Sequence, residues 1–210
     1  MTLHFGLVLY PNLTQLDLTG PFEVFSHVPD AKVHLIWKDT APVTADTGMQ
    51  IIPTTCFDDC PPLDVICVPG GFGQRALMED DQVLGFLRQQ AEQAQYITSV
   101  CTGSLVLGAA GLLDGYKATT HWTQIEALKD FGAVYTPGRV VADRNRMTGG
   151  GVTAGIDFAL TLVAELRGDQ VAKMIQLGIE YNPAPPFDAG HPDVADKEIV
   201  ALLQSQIGGG

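Results

Sequence analysis

Short apolar, β-branched runs alternate with longer segments of helical period along most of the chain. Phe5 to Tyr10, Val33 to Trp37, Val65 to Pro69 and Tyr96 to Val100 read as strands. Helical segments are expected at about Thr14 to Ser26, Asp80 to Gln95, Trp122 to Phe131, Val152 to Leu166, Gln170 to Tyr181 and Asp193 to Gln206. In the second of these, Val83, Leu84, Leu87 and Ala91 share one face. Pro42 to Thr55 alternates weakly around Asp46-Thr47-Gly48 and predicts a hairpin; Val140-Val141 and Arg146-Met147-Thr148 flank Asp143-Arg144-Asn145 and predict another. Strands alternating with helices imply an α/β fold, a doubly wound, mostly parallel sheet with helices on both faces. No repeat, heptad pattern or second domain interrupts it. Residues 1–210 read as one α/β domain whose last residues, Gly208-Gly209-Gly210, form a flexible end.

The pattern breaks most informatively at Cys101. Tyr96 to Val100 is a short buried strand, Cys101-Thr102-Gly103-Ser104 interrupts it, and Leu105 to Ala110 is a helix ended by Gly111. A strand, an abrupt turn at a nucleophile and a helix make a nucleophile elbow. Ser99-x-Cys101-x-Gly103 follows the G-x-S-x-G spacing with cysteine as nucleophile. A thiol at a helix N-terminus faces unpaired N–H groups and the positive end of the dipole, which favour a reactive thiolate. A packed core cysteine is the competing reading.

Composition narrows the function classes. The net charge of −12 argues against nucleic acid and against anionic membrane surfaces as partners. No run approaches the roughly 20 apolar residues of a membrane span. The start, Met1-Thr2-Leu3-His4, lacks a signal-peptide pattern, which gives a cytoplasmic expectation. The four cysteines, Cys56, Cys60, Cys67 and Cys101, are then expected as thiols. Cys56-x3-Cys60 has neither a second pair nor clustered histidines to complete a metal site, and Cys67 lies in an apolar strand.

Two glycine loops invite comparison. Gly149-Gly150-Gly151-Val152-Thr153-Ala154 satisfies G-x-G-x-x-A, with Asp169 twenty residues after Gly149. Its position after a hairpin, with Asp169 following a helix, favours a tight turn over a dinucleotide site. Pro69-Gly70-Gly71-Phe72-Gly73 follows a central strand at its carboxyl end, where open α/β sheets bind ligands and where backbone N–H groups face developing charge.

A cysteine nucleophile usually relies on a base. None of the five histidines, His4, His27, His34, His121 and His191, adjoins Cys101 in sequence; Thr102 stands there. Only His121, in Ala118-Thr119-Thr120-His121-Trp122, lies in a polar stretch able to approach, and a helix start is its alternative role. Asp17, in Gln15-Leu16-Asp17-Leu18-Thr19-Gly20-Pro21, is the stronger candidate: a carboxyl between two leucines just after the first strand. Thr14-x-x-Asp17 also fits a capping box. If Asp17 meets Cys101, the two acids titrate as a pair, and one proton is held for delivery to substrate.

Together these segments resemble the ThiJ/PfpI superfamily of class I glutamine amidotransferase-like folds. The resemblance runs through Gln15 to Pro21, Asp64 to Gly71, Ser99 to Ser104, Ala118 to Trp122, Thr148 to Asp157 and Pro183 to Phe187. The elbow and the Ala-Thr-Thr-His-Trp segment are shared across relatives, including sensor domains of transcriptional regulators. Asp17, where most relatives with other activities carry glutamate, and Thr102, where peptidase relatives place histidine, resemble members that hydrate isocyanides.

The resemblance implies a flavodoxin-like fold and a homodimer with the site near the subunit interface. It implies a small-molecule isocyanide substrate converted to an N-formamide, with no metal or organic cofactor. By the same resemblance Cys101 attacks the terminal carbon and Asp17 acts as general acid and then base. Thr102 holds Asp17 or the thiolate through its hydroxyl and N–H, and the Gly71 N–H supplies another donor. An enzyme acting on reactive aldehydes such as methylglyoxal, and a cysteine redox sensor, stay open as alternatives.

Overall fold

The computed structural model describes residues 2–207; the glycine end expected at 208–210 lies outside the described residues. Its main sheet has seven strands. In chain order they are β1 (Leu3–Val8), β2 (Ala31–Trp37), β3 (Thr55–Cys56), β4 (Val65–Val68), β5 (Tyr96–Val100), β6 (Val140–Asp143) and β7 (Arg146–Gly149). Across the sheet the order is β6-β7-β5-β4-β1-β2-β3. All pairings are parallel except the β6–β7 hairpin. β4 is buried at every position and β5 at all but Tyr96, as expected of strands covered on both faces. The doubly wound, mostly parallel, flavodoxin-like α/β fold is therefore the fold of this chain.

One face carries the helices Gln15–Ser26 and Ala154–Arg167, and the other carries Asp81–Ala91 and Gly103–Ala109. The first pair approaches closely because small residues face each other: a β-carbon on Gly20 would lie 3.2 Å from Ile156, and one on Gly155 3.0 Å from Pro21. Phe25 anchors that layer, stacked on Phe5 at 4.5 Å and edge-on to Phe158 at 5.9 Å. Burying three such aromatic side chains supplies several kcal/mol of the folding free energy, on the order of 2–3 kcal/mol each. The helix that begins with Gln15 is thereby fixed against the sheet, and with it Asp17 in its first turn.

Differences from the expected elements have local causes. The first strand starts at Leu3 and ends at Val8, because Tyr10 turns aside to donate its hydroxyl to the Pro69 carbonyl at 2.8 Å. The second long helix begins at Asp81, since the Asp80 carboxylate caps it by accepting the Gln82 and Val83 N–H groups. The hairpin expected from Pro42 to Thr55 is a two-residue ribbon, Val43–Thr44 with Gln50–Ile51; Thr55–Cys56 leaves it to become the outer strand β3. Trp122 opens a 3₁₀ turn followed by the short helix Ile125–Lys129 rather than a continuous helix to Phe131. A ribbon between Lys117–Ala118 and Val134–Tyr135 was not foreseen. The last helix starts at Lys197, after turns that close on the His191 carbonyl.

Gly103 opens the helix behind the central strand under tight clearance. A β-carbon there would press on the Val68 carbonyl and lie 2.8 Å from the Pro69 carbonyl oxygen. Gly103→Ala is expected to lower unfolding stability by at least about 2 kcal/mol, as overpacking against fixed backbone does. Urea unfolding followed by circular dichroism measures it; a stability equal to wild type would show that this turn yields freely.

Candidate active site

β5 ends at Val100, and Cys101 then adopts φ 56°, a left-handed conformation that its β-carbon disfavours. Neighbouring groups hold it there. The Cys101 N–H donates to the Gly149 carbonyl at 3.0 Å, and its own carbonyl accepts the Ser104 and Thr120 hydroxyls, each at 3.1 Å. The helix Gly103–Ala109 follows at once. The elbow expected around Cys101 thus forms, with the cysteine side chain at the carboxyl end of a central strand. Ser99, in the place of the motif's first glycine, is fully buried with an unpartnered hydroxyl.

Asp17 is fully buried beside it. Its Oδ2 accepts the Gly70 N–H at 2.9 Å, and its Oδ1 has no hydrogen-bond partner of full geometry. After that N–H, the influence that most favours the carboxylate is the Cys101 thiol, acting as a hydrogen-bond donor would. The capping box does not form: Thr14 precedes the helix, but its hydroxyl donates to Asp46 Oδ2 at 2.7 Å and makes no cap. Asp17 is released from capping and turned inward.

The glycines after β4 supply the rest. The Thr14 N–H donates to the Gly70 carbonyl at 2.9 Å, joining the start of the first helix to this loop. A β-carbon on Gly70 would lie 2.6 Å from the Thr102 nitrogen and 2.7 Å from Asp17 Oδ2, so any side chain there would push the carboxylate off its donor. Gly71 has φ 139° and passes hard against Leu13 and Asn12. Its N–H donates to Thr102 Oγ1 at 3.0 Å. The Thr102 hydroxyl and N–H in turn act on the Cys101 sulfur and favour its anion. Of the two roles expected for Thr102, its hydroxyl and N–H take the one toward the sulfur, while Asp17 is held by Gly70. The Gly71 N–H, expected as a donor to substrate, is instead committed to the Thr102 hydroxyl.

The electrostatics also differ from the simple helix-dipole argument. Burial and the neighbouring Asp17 carboxyl push the Cys101 thiol well above its ordinary value, outweighing Thr102. Burial raises Asp17 to about 7, with Asp46 adding to the effect and the Gly70 N–H opposing it. Two acids in one apolar space exchange a single proton readily and resist losing the last one. Oδ1, lacking a partner, is an acceptor open to that proton.

Cys101, Thr102 and Gly71 open onto a cavity of about 440 Å³ whose other walls include Phe72, His121 and Val152. Its lining is mainly apolar. Among the described residues, His121 is the one histidine on this cavity. His4 pairs with His34, His27 with Glu23 and His191 with Asp193. His121 also fills the helix-start role, its side chain accepting the Thr123 N–H. Burial pushes Cys67 to about 12, in keeping with a packing thiol. Cys56 donates to Asp59 Oδ2 at 3.0 Å and Cys60 to the Pro61 carbonyl at 3.4 Å. Among the described residues no group of three or more His, Cys, Asp or Glu side chains could hold a metal ion, and no helix is long and apolar enough to cross a membrane.

Sequence reasoning passed over Tyr10, Asp46, Gly70 as a carboxylate donor, and Thr120. Of these, Tyr10 carries a visible signal, a polar group at the end of an apolar run.

Residues 6–165 match the family model described as DJ-1/PfpI. The chain is 60% identical over 200 residues to an isonitrile hydratase of Pseudomonas putida, covering 95% of this chain and 88% of that protein. It is 33% identical to the HTH-type transcriptional regulator GbdR of Pseudomonas aeruginosa over 81% of this chain, but spans only 48% of that protein. A solved ThiJ/PfpI family protein from Pseudomonas syringae superposes with a TM-score of 0.97 at 46% identity, over 99% of this chain and 87% of that one. Drosophila melanogaster DJ-1beta, at 24% identity and a TM-score of 0.77 over 86% of this chain and 98% of that one, shares the fold.

The raised Asp17 value sets a pH dependence. Unfolded, an aspartate ionises near pH 4; folded, Asp17 keeps its proton to about pH 7. Between these values the native state binds more protons than the unfolded one, so stability falls with rising pH and the deficit persists above the window. Asp17→Asn is therefore expected to be more stable than wild type at pH 8, by up to about 4 kcal/mol, with the difference vanishing towards pH 4. Calorimetric melting across that range measures it, and an Asn variant no more stable than wild type at pH 8 contradicts the assignment. In the same variant iodoacetamide alkylation of Cys101 should set in at lower pH, because the repelling carboxylate is gone.

Proposed function

Because the chain belongs to the DJ-1/PfpI family and sets its elbow cysteine against a buried aspartate, we propose that it hydrates isocyanides, R–N≡C, to N-substituted formamides. The observation that carries this reading is the Cys101 thiol on the lining of an apolar cavity, with the buried Asp17 carboxyl beside it. The likeness to the isonitrile hydratase of Pseudomonas putida supports the substrate class.

An isocyanide is electrophilic and basic at the same terminal carbon, so sulfur attack and carbon protonation must be coupled. As the Cys101 proton passes to Asp17 Oδ1, the thiolate attacks the carbon and Asp17 returns the proton to that carbon. The product is a thioimidate, Cys101–S–CH=N–R. Asp17, now a carboxylate, takes a proton from water as its oxygen adds to the same carbon, and passes that proton to nitrogen. Collapse of the adduct breaks the C–S bond, returns the remaining hydroxyl proton to the Cys101–Asp17 pair and frees R–NH–CHO. Atoms balance as one isocyanide plus one water, and no cofactor takes part.

The Gly70 N–H holds Asp17 in place while it is charged, and Thr102 steadies the sulfur when it is the anion. The reading includes one α/β domain spanning the chain, a cytoplasmic location and a homodimer with the site near the interface. Exposed Phe72 on the cavity lining, 70% accessible, supports a covering partner there.

Purified protein given an alkyl isocyanide is expected to release formamide. Cys101→Ala should abolish it, and Asp17→Asn should lower kcat by roughly 10²–10⁴-fold, the usual loss of a positioned acid–base group. Formamide production at full rate by Cys101→Ala overturns the mechanism. Turnover of methylglyoxal with none of isocyanide would assign the site to aldehydes, and stable Cys101 sulfinate with neither substrate consumed would assign it to redox sensing.

A further inference from the structure

Within the isocyanide reading, which this inference rests on, the thioimidate nitrogen needs an electrophilic partner while water adds to the neighbouring carbon. We infer that the Nε2–H of His121 donates a hydrogen bond to that nitrogen. The ring's tautomer follows from its contacts. The Thr123 backbone N–H points at Nδ1 at 3.4 Å, and the Thr123 hydroxyl lies 2.8 Å from the same nitrogen. A backbone N–H can only donate, so Nδ1 is an acceptor and carries no proton. In the neutral imidazole the proton then sits on Nε2. Burial lowers the His121 pKa, which keeps the ring neutral. Nε2 makes no hydrogen bond to any described residue, and the ring lines the cavity that contains Cys101.

The segment that carries this ring is held in register with the nucleophile. The Thr120 hydroxyl donates to the Cys101 carbonyl, and the Thr119 N–H donates to Thr148 Oγ1 at 2.9 Å beside the β5–β7 pairing. The substrate carbon is fixed by its bond to sulfur and R extends into the cavity, so the nitrogen lies between them, in the space that Cys101 and His121 both line.

A neutral donor there has a defined effect. It draws electron density from C=N, making the carbon more electrophilic. The bond strengthens as water adds and negative charge develops on nitrogen, which is transition-state stabilisation rather than uniform binding. No proton leaves His121: the proton that ends on nitrogen is the one Asp17 takes from water. The first step, sulfur attack at the terminal carbon, makes no use of this donor.

Removing the donor should therefore separate the two halves of the reaction. His121→Phe is expected to lower kcat about tenfold or more. During turnover its intact mass should show Cys101 carrying an adduct equal to one whole isocyanide, the stalled thioimidate. His121→Gln, which retains an N–H donor, should recover most of the rate and lose the adduct; His121→Met supplies a second non-donor of different shape should the phenylalanine fail to fold. Cys101 alkylation by iodoacetamide should keep its wild-type pH profile in each variant. Wild-type rates in the non-donor variants, or lost turnover without an adduct while Cys101 alkylates normally, would overturn the role of His121 alone. A wild-type protein inert towards isocyanides would instead overturn the reading on which it rests.

Discussion

Cys101 and Asp17 occupy one desolvated space beneath the cavity, and electrostatics there tolerates a single negative charge. Much of the surrounding architecture answers that constraint. A carboxylate with one backbone donor and one unpartnered oxygen is poorly stabilised as an anion and ready to become an acid. A thiol beside it cannot ionise unless the carboxyl holds the proton. The pair thus behaves as a unit carrying one proton in two positions. A reaction that needs a sulfur nucleophile and a carbon-directed acid in the same instant suits such a unit.

Keeping two acids together in an apolar interior requires rigid surroundings, and these are mostly backbone. Cys101 stays in its unfavourable conformation because its N–H and carbonyl are both committed, to Gly149 and to the Ser104 and Thr120 hydroxyls. Asp17 is placed by a helix start that the Gly70 loop ties down through the Thr14 N–H. Gly70 and Gly103 leave no room for side chains, so strand, loop and helix ends meet at atomic contact. Tyr10 closes the floor by donating to the Pro69 carbonyl. A change to any of these acts on the chemistry through geometry before it acts through charge.

The same family includes relatives with different roles, among them a hydratase and a transcriptional regulator. Fold alone therefore does not decide function. The chemistry open to this chain is set by the groups beside the sulfur. The Asp17 carboxylate rests on the Gly70 N–H, and threonine rather than histidine follows the cysteine.

The order of strands and helices, the elbow at Cys101 and the candidacy of Asp17 were legible in the chain itself, because periodicity, β-branched runs and turn residues are local properties. A carboxyl between two leucines in an apolar helix face also signals itself locally. Other features could not be read that way. Thr14 and Asp17 fit a capping box in sequence, yet Asp46, some thirty residues on, takes the Thr14 hydroxyl and leaves Asp17 free to turn inward. The glycine loop foretold backbone donors at the right end of the sheet. Only the assembled loop decided that Gly70 serves Asp17 and Gly71 serves Thr102. His121 reads as a helix start from its neighbours, and its place on the cavity, next to a threonine bonded to the Cys101 carbonyl, exists only in the folded chain. The proton affinities belong to the same class. A helix N-terminus argues for a lowered thiol value, but desolvation and a second acid brought in from the first helix reverse the sign, and neither exists until the chain has folded.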